Sequence, residues 1–168
     1  MDYRFKILLV GENHSGKSSF LRRIIKNKFK LNYNNDDKIK IKKVTYLTNK
    51  GYVTLEFTDT IGELRKNEEY YSSNDSCIIF YNTLYKLKDN YVKKTKESVR
   101  ARNGNIPFFF VGTCIDLEHK NLFNSMINTK YTIFYISSKS GDGVLYFLNY
   151  LIKTLTNDTE IMLNTRNI

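Results

Sequence analysis

The segment Gly11-Glu-Asn-His-Ser-Gly16-Lys17-Ser18 constrains this chain more than any other. The apolar run from Ile7 to Val10 leads into it. Phe20, Leu21, Ile24 and Ile25 follow at helical spacing within Lys17 to Lys28. The order is strand, short loop, helix, which is the setting in which G-x-x-x-x-G-K-[S/T] wraps backbone N–H groups around a phosphate. The positive end of the helix dipole faces the anion, the lysine reaches the β- and γ-phosphates, and the Ser18 hydroxyl is placed to ligate Mg²⁺. Gly11, Asn13, His14, Ser15, Gly16, Lys17, Ser18 and Ser19 are the candidate phosphate contacts. A chance glycine turn with a surface lysine is the bland alternative, and the flanking strand and helix count against it.

The rest of the chain extends this unit into an α/β fold. Lys38 to Leu47 alternates lysines with apolar residues, Gly51 turns the chain, and Tyr52 to Thr58 alternates again, which predicts a hairpin. Outward Lys38, Lys40 and Lys42 suit an edge strand that resists pairing with other chains. Further strands are predicted over Cys77 to Tyr81, Pro107 to Gly112 and Thr132 to Ile136. They alternate with helices over Val92 to Arg100, near Leu122 to Ile127, and over Leu145 to Leu155. The expected fold is a P-loop NTPase: a mostly parallel six-stranded sheet with an antiparallel edge hairpin and helices on both faces. A chain of 168 residues fits one such domain, expected over 1–156, with a short tail over 157–168. Asp59 closes the second hairpin strand, where a P-loop protein holds Mg²⁺ through water; a lone Asp at a strand end would otherwise cap a turn.

Cys77 and Cys114 sit in apolar runs without C-x-x-C spacing and read as buried free thiols, which suits a reducing compartment. The run Ile7 to Val10 is too short for a signal peptide or a membrane span. Residue 2 is Asp rather than Gly and the last residues hold no cysteine, so neither terminus predicts lipidation. The expected location is intracellular, cytoplasmic or nuclear, with no encoded membrane anchor. A net charge of +10 would draw in nucleotides, nucleic acid or an anionic membrane, but the basic residues are scattered, so a solvated surface is the simpler reading. Nucleic-acid binding through the edge-strand lysines would show as affinity independent of any ligand on the glycine loop and steeply dependent on salt.

Together these residues resemble the Ras superfamily of small GTPases, with the Rab and Ran branches nearest. The resemblance rests on the P-loop, Asp59-Thr60-Ile61-Gly62, Glu69-Tyr70-Tyr71, Asn105-Ile-Pro107, Val111-Gly-Thr-Cys-Ile-Asp116 in place of N-K-x-D, and Ile136-Ser-Ser-Lys-Ser140 in place of S-A-K. The ungapped distance from the P-loop to the D-T-x-G box is Ran-like. The resemblance implies GTP and GDP as ligands with Mg²⁺, a monomer, and regulators or effectors of the Rab or Ran type. It places Gly62 at the phosphate and Ser18 and Asp59 at the metal. In the base pocket it places Phe29 on the guanine, Asp116 on its ring N–H and amino group, the Ser138 backbone N–H on its oxygen, Lys139 as a brace, and Thr113 in the buttress position. Chemistry agrees at Asp116, because a carboxylate accepts two hydrogen bonds from guanine whereas adenine presents an acceptor at that edge.

Departures from the family cluster at the catalytic machinery. Asn13 and His14 stand where two glycines are usual, and their side chains would crowd the γ-phosphate. The water-orienting glutamine is absent and Glu63 stands near its place; a carboxylate there is repelled by the γ-phosphate. Asp36 replaces the effector-loop threonine, able to ligate the metal in its stead or to mark a polar loop. Thr113 and Cys114 replace the Asn and Lys that support the base. The expectation is a nucleotide-binding switch with slow or impaired hydrolysis resting on Lys17 and Glu63. The alternative is a pseudo-GTPase that competes for regulators or effectors without cycling.

Overall fold

The computed structural model describes residues 2–27, 40–60, 71–85, 87–117 and 131–164. The elements run β1 (Asp2–Val10), α1 (Lys17–Lys26), β2 (Lys40–Thr48), β3 (Gly51–Asp59), β4 (Ser76–Asn82), α2 (Asp89–Asn103), β5 (Phe108–Thr113), a 3₁₀ turn (Ile115–Leu117), β6 (Ile133–Tyr135) and α3 (Val144–Thr156). The strands form one six-stranded sheet in the order β2-β3-β1-β4-β5-β6. Among the described strands, β2 and β3 pair antiparallel, from Lys40 opposite Asp59 to Thr48 opposite Gly51, and the other neighbouring strands pair parallel. The fold class expected from the alternating pattern is the one observed.

Side chains alternate across the pleat, so each apolar run feeds two cores. Ile7 and Leu9 join Phe20 of α1 and Phe147, Leu148 and Leu151 of α3 on one face. Leu8 and Val10 join Val92 and Val99 of α2 on the other. A continuous apolar run is what a parallel strand covered on both faces requires. Phe20 is the pivot of the first core, its ring 5.3 Å from that of Phe80 and 6.0 Å from that of Phe147. These contacts fix α1, and with it the loop that precedes it.

The helices differ from expectation mainly at their ends. α2 runs from Asp89 to Asn103 rather than Val92 to Arg100, because Asp89 in the first turn complements the helix dipole and Gly104, at φ +70°, ends the last turn. Its buried side is narrow, with Val92, Thr95 and Val99, which is why sequence periodicity understates its length. The helix expected near Leu122 to Ile127 lies outside the described residues, as do Lys38, Phe29 and Asp36. Cys77 is buried, but Cys114 is only half-buried, since its strand has ended and the backbone turns with φ +67° there. Among the described residues no helix is long and apolar enough to cross a membrane.

β2 is the sheet edge. Lys42 and Lys43 stand exposed on it, and Lys43 pairs with Glu56 across the hairpin at 3.1 Å. Residues 157–164 return to the same edge. Leu163 bridges antiparallel to Thr48, and the Asn164 N–H donates to the Leu47 carbonyl at 2.9 Å. Ile161 and Leu163 are buried in the first core, and the Asn149 side chain of α3 accepts the Leu163 N–H at 2.9 Å. Ile161→Ala is therefore expected to cost about 2–4 kcal/mol of stability. Urea unfolding would show this as a lower midpoint at unchanged slope, and a midpoint equal to wild type would refute the packing role.

Candidate functional site: the phosphate loop and base cleft

β1 lies beside β4, and the connection from β1 leads to the β2–β3 side of the sheet while that from β4 leads to β5 on the other side, so a crevice opens at their carboxyl ends. The loop from Gly11 to Gly16 fills the floor of that crevice. A Cβ at Gly11 would come within 2.5 Å of the Phe80 carbonyl, so only glycine lets the loop leave β1 so close to β4. Gly16 adopts φ +89°, and a Cβ there would meet the Thr113 side chain at 2.8 Å. No side chain caps α1 at Gly16 among the described residues, which leaves the first-turn N–H groups available to an anion.

Lys17 is buried beneath this loop. Its ammonium donates to the carbonyls of Gly11 at 2.6 Å and Glu12 at 3.1 Å, and to the Ser15 hydroxyl at 3.2 Å. Burial pulls its pKa down from the usual lysine value to about 8, with the Asp59 charge opposing the shift. The unfolded chain keeps this proton up to its ordinary pKa, so between about pH 8 and 10.5 the unfolded state binds more protons and stability rises with pH. The buried charge thus costs stability below that window, and its cost is relieved above it. Anion affinity moves the other way, because phosphate needs the ammonium. Between pH 7 and 8.5 the affinity for inorganic pyrophosphate or a nucleoside diphosphate is expected to fall about fourfold. Calorimetric titration at the two pH values checks this, and Lys17→Met should remove the difference.

Beside Lys17, the Ser18 hydroxyl donates to Asp59 Oδ2 at 2.7 Å. Thr60 fixes the end of β3 by donating its hydroxyl to the Leu9 carbonyl at 2.7 Å. A hydroxyl and a buried carboxylate this close make a hard-oxygen pair that suits Mg²⁺, an ion that keeps several waters and fills its shell with phosphate oxygens. Among the described residues no group of three or more His, Cys, Asp and Glu side chains is placed to hold a metal, and Mg²⁺ at a phosphate needs none.

A cavity of about 210 Å³ runs from this loop toward the base cleft. Its lining combines His14, Ser15, Gly16, Lys17, Ser18 and Ser19 of the loop and helix start with Thr113, Cys114, Asp116, Leu117, Ser138 and Lys139. Most of the described phosphate and base residues thus share one cleft; Gly11 is not part of its lining, and Asn13 lines a smaller neighbouring space of about 30 Å³ with Tyr81, Leu87 and Tyr91. His14 takes the left-handed backbone at φ +62°, which glycine would adopt without strain. Gly62 and Glu63, like Phe29 and Asp36, lie outside the described residues.

Thr113 does more than its substitution suggests. Its hydroxyl lies 2.9 Å from the Ser15 carbonyl, so the residue expected to be a lost buttress ties β5 to the phosphate loop. Two further residues escaped the sequence reading. The Ser137 hydroxyl donates to Asp116 Oδ1 at 2.7 Å and leaves Oδ2 for a ligand. Arg23 of α1 donates through Nε to the Ser138 carbonyl at 2.7 Å and through Nη2 to the Lys139 carbonyl. No local pattern announces either contact, although serine before the S-K of the S-A-K-like box was a visible candidate.

A family comparison decides what kind of cleft this is: the family described as Ras of Complex (Roc), the domain of DAPkinase, matches residues 6–116. The chain belongs to the Roc family of Ras-like GTPases. The superfamily resemblance drawn from the motifs is borne out at that level, and the match takes in the phosphate loop, Asp59 and Asp116. A Roc domain is a GTP-binding, switch-like module, so guanine nucleotide is the ligand its cleft is built around. In this Roc chain the phosphate end keeps the complete lysine–serine–aspartate set, whereas the base end keeps Asp116 but replaces its neighbours with Thr113 and Cys114.

Proposed function

We propose that this chain is a guanine-nucleotide switch that binds GTP and GDP with Mg²⁺ and hydrolyses GTP slowly, acting through partners rather than turnover. The observation that carries the reading is the shared cleft: Lys17 and Ser18 line it together with Asp116, and Ser18 is hydrogen-bonded to Asp59. Lys17 and the loop N–H groups would hold the β- and γ-phosphates, Ser18 and Asp59 would hold the metal, and Asp116 would read the base. Mg²⁺ held there would neutralise phosphate charge. Slow hydrolysis is supported by Glu63 near the glutamine position, since its charge repels the γ-phosphate, and by side chains at Asn13 and His14.

Single-turnover hydrolysis of GTP tests the rate. The expected constant lies below the order of 10⁻⁴ per second known for an unassisted small GTPase. A rate well above that value would refute the slow-switch reading. A Ran-like or Rab-like setting is the finer reading, supported by the ungapped spacing from the P-loop to the D-T-x-G box. The exposed, strained His14 in the phosphate loop favours a second reading, a pseudo-GTPase that engages regulators without cycling.

A further inference from the structure

The guanidinium of Arg23, on α1, is the start of a continuous hydrogen-bonded chain. Nη2 donates to the Lys139 carbonyl. The same peptide unit carries the Ser140 N–H, which donates to the Ser137 hydroxyl at 3.0 Å. That hydroxyl in turn donates to Asp116 Oδ1 at 2.7 Å. Every donor in the chain points the same way, from a permanent cation toward a carboxylate, so each bond polarises the next. A second donor, Nε to the Ser138 carbonyl at 2.7 Å, holds the adjoining peptide unit in the same sense. The Asn27 side chain, just past the end of α1, accepts from Nη1 at 2.9 Å and keeps the guanidinium from swinging outward.

We propose that Arg23 is a positioning residue for base recognition, acting on Asp116 through the 139–140 peptide and Ser137. The relay orients the carboxylate and keeps Oδ2 aimed into the cleft. It also links the base-reading carboxylate to the helix that carries Lys17 and Ser18, so the two ends of the nucleotide are read by groups held in one rigid unit. Two features separate this from a surface contact. The guanidinium is half-buried and makes charge-assisted bonds to two successive carbonyls, and its partners lie 115 and 116 residues away in sequence. The inference rests on the guanine-binding reading above.

The test is a double-mutant cycle on purified full-length protein, using GDP and ADP as probes. Arg23→Gln is expected to weaken GDP binding about tenfold, mainly through faster dissociation, because it removes charge-assisted bonds that hold Asp116 in place. Arg23→Lys should recover only part of the loss, since an ammonium cannot span both carbonyls. In a Ser137→Ala background, where the relay is already cut, Arg23→Gln should weaken GDP less than about threefold. Equal losses in both backgrounds would overturn the proposal, and so would unchanged GDP affinity in Arg23→Gln. If Arg23→Gln fails to fold, the same cycle run with Arg23→Lys decides the matter. Wild-type protein that fails to prefer GDP over ADP would defeat the guanine reading itself, and the relay with it; a wild-type preference that survives Arg23→Gln intact defeats the relay alone.

Discussion

Replacing Lys17 with alanine is expected to weaken GDP binding about 10²- to 10³-fold, since it leaves buried phosphate charge without its cation. The lysine is poised for this role at a cost: burial has already lowered its pKa to about 8, and among the described residues its donors are met by Gly11, Glu12 and Ser15. An incoming phosphate would give the buried ammonium an opposite charge in place of its weaker internal acceptors, and a charge-assisted bond to a buried group is strong. The fold should survive the substitution, because Lys17 adds nothing to the aromatic core around Phe20, and far-UV circular dichroism would confirm that the loss is one of binding. Calorimetric titration with GDP reads the effect, and affinity within threefold of wild type would exclude the loop as the phosphate site.

Asp116→Asn is expected to reverse base preference, weakening GDP about 10²-fold and favouring xanthosine diphosphate. Ser137 makes the direction definite. Its hydroxyl donates to Oδ1, so an asparagine at this position turns its carbonyl oxygen toward Ser137 and its NH₂ into the cleft. That NH₂ meets the donors of guanine but pairs with the 2-oxo group of xanthine. Competition between the two diphosphates for the variant measures the switch, and unchanged preference would remove Asp116 from the base pocket. Ser137→Ala combined with Asp116→Asn should blunt the reversal, since nothing then fixes the amide.

The strands and the phosphate loop were legible because their signals are local. Ile7 to Val10 must be covered on both faces, and a glycine–lysine–serine turn after such a strand has few alternatives. The Ser18–Asp59 pair was legible from motif spacing, although the residues are 41 apart. Arg23 and Ser137 were not legible in the same way. Arg23 reads as one more cation on a polar helix face, and only the three-dimensional path brings it to carbonyls 115 residues on. Thr113 reads from sequence as a replacement for a base-supporting asparagine, and nothing local in the sequence shows that its hydroxyl reaches the Ser15 carbonyl. The burial of Ile161 and Leu163 was likewise hidden, since two apolar residues among polar ones give no periodicity until Asn149 and Thr48 hold them in place.

Titration of nucleotide-stripped protein with fluorescent GDP, GTP and ATP, each with and without Mg²⁺, tests the central claim most directly. The account predicts tight binding of both guanine nucleotides, strengthened by Mg²⁺ through Ser18 and Asp59, with ATP weaker by at least about 10²-fold because adenine presents an acceptor to Asp116. Equal affinity for ATP and GTP, or no binding of either at micromolar protein, would contradict it.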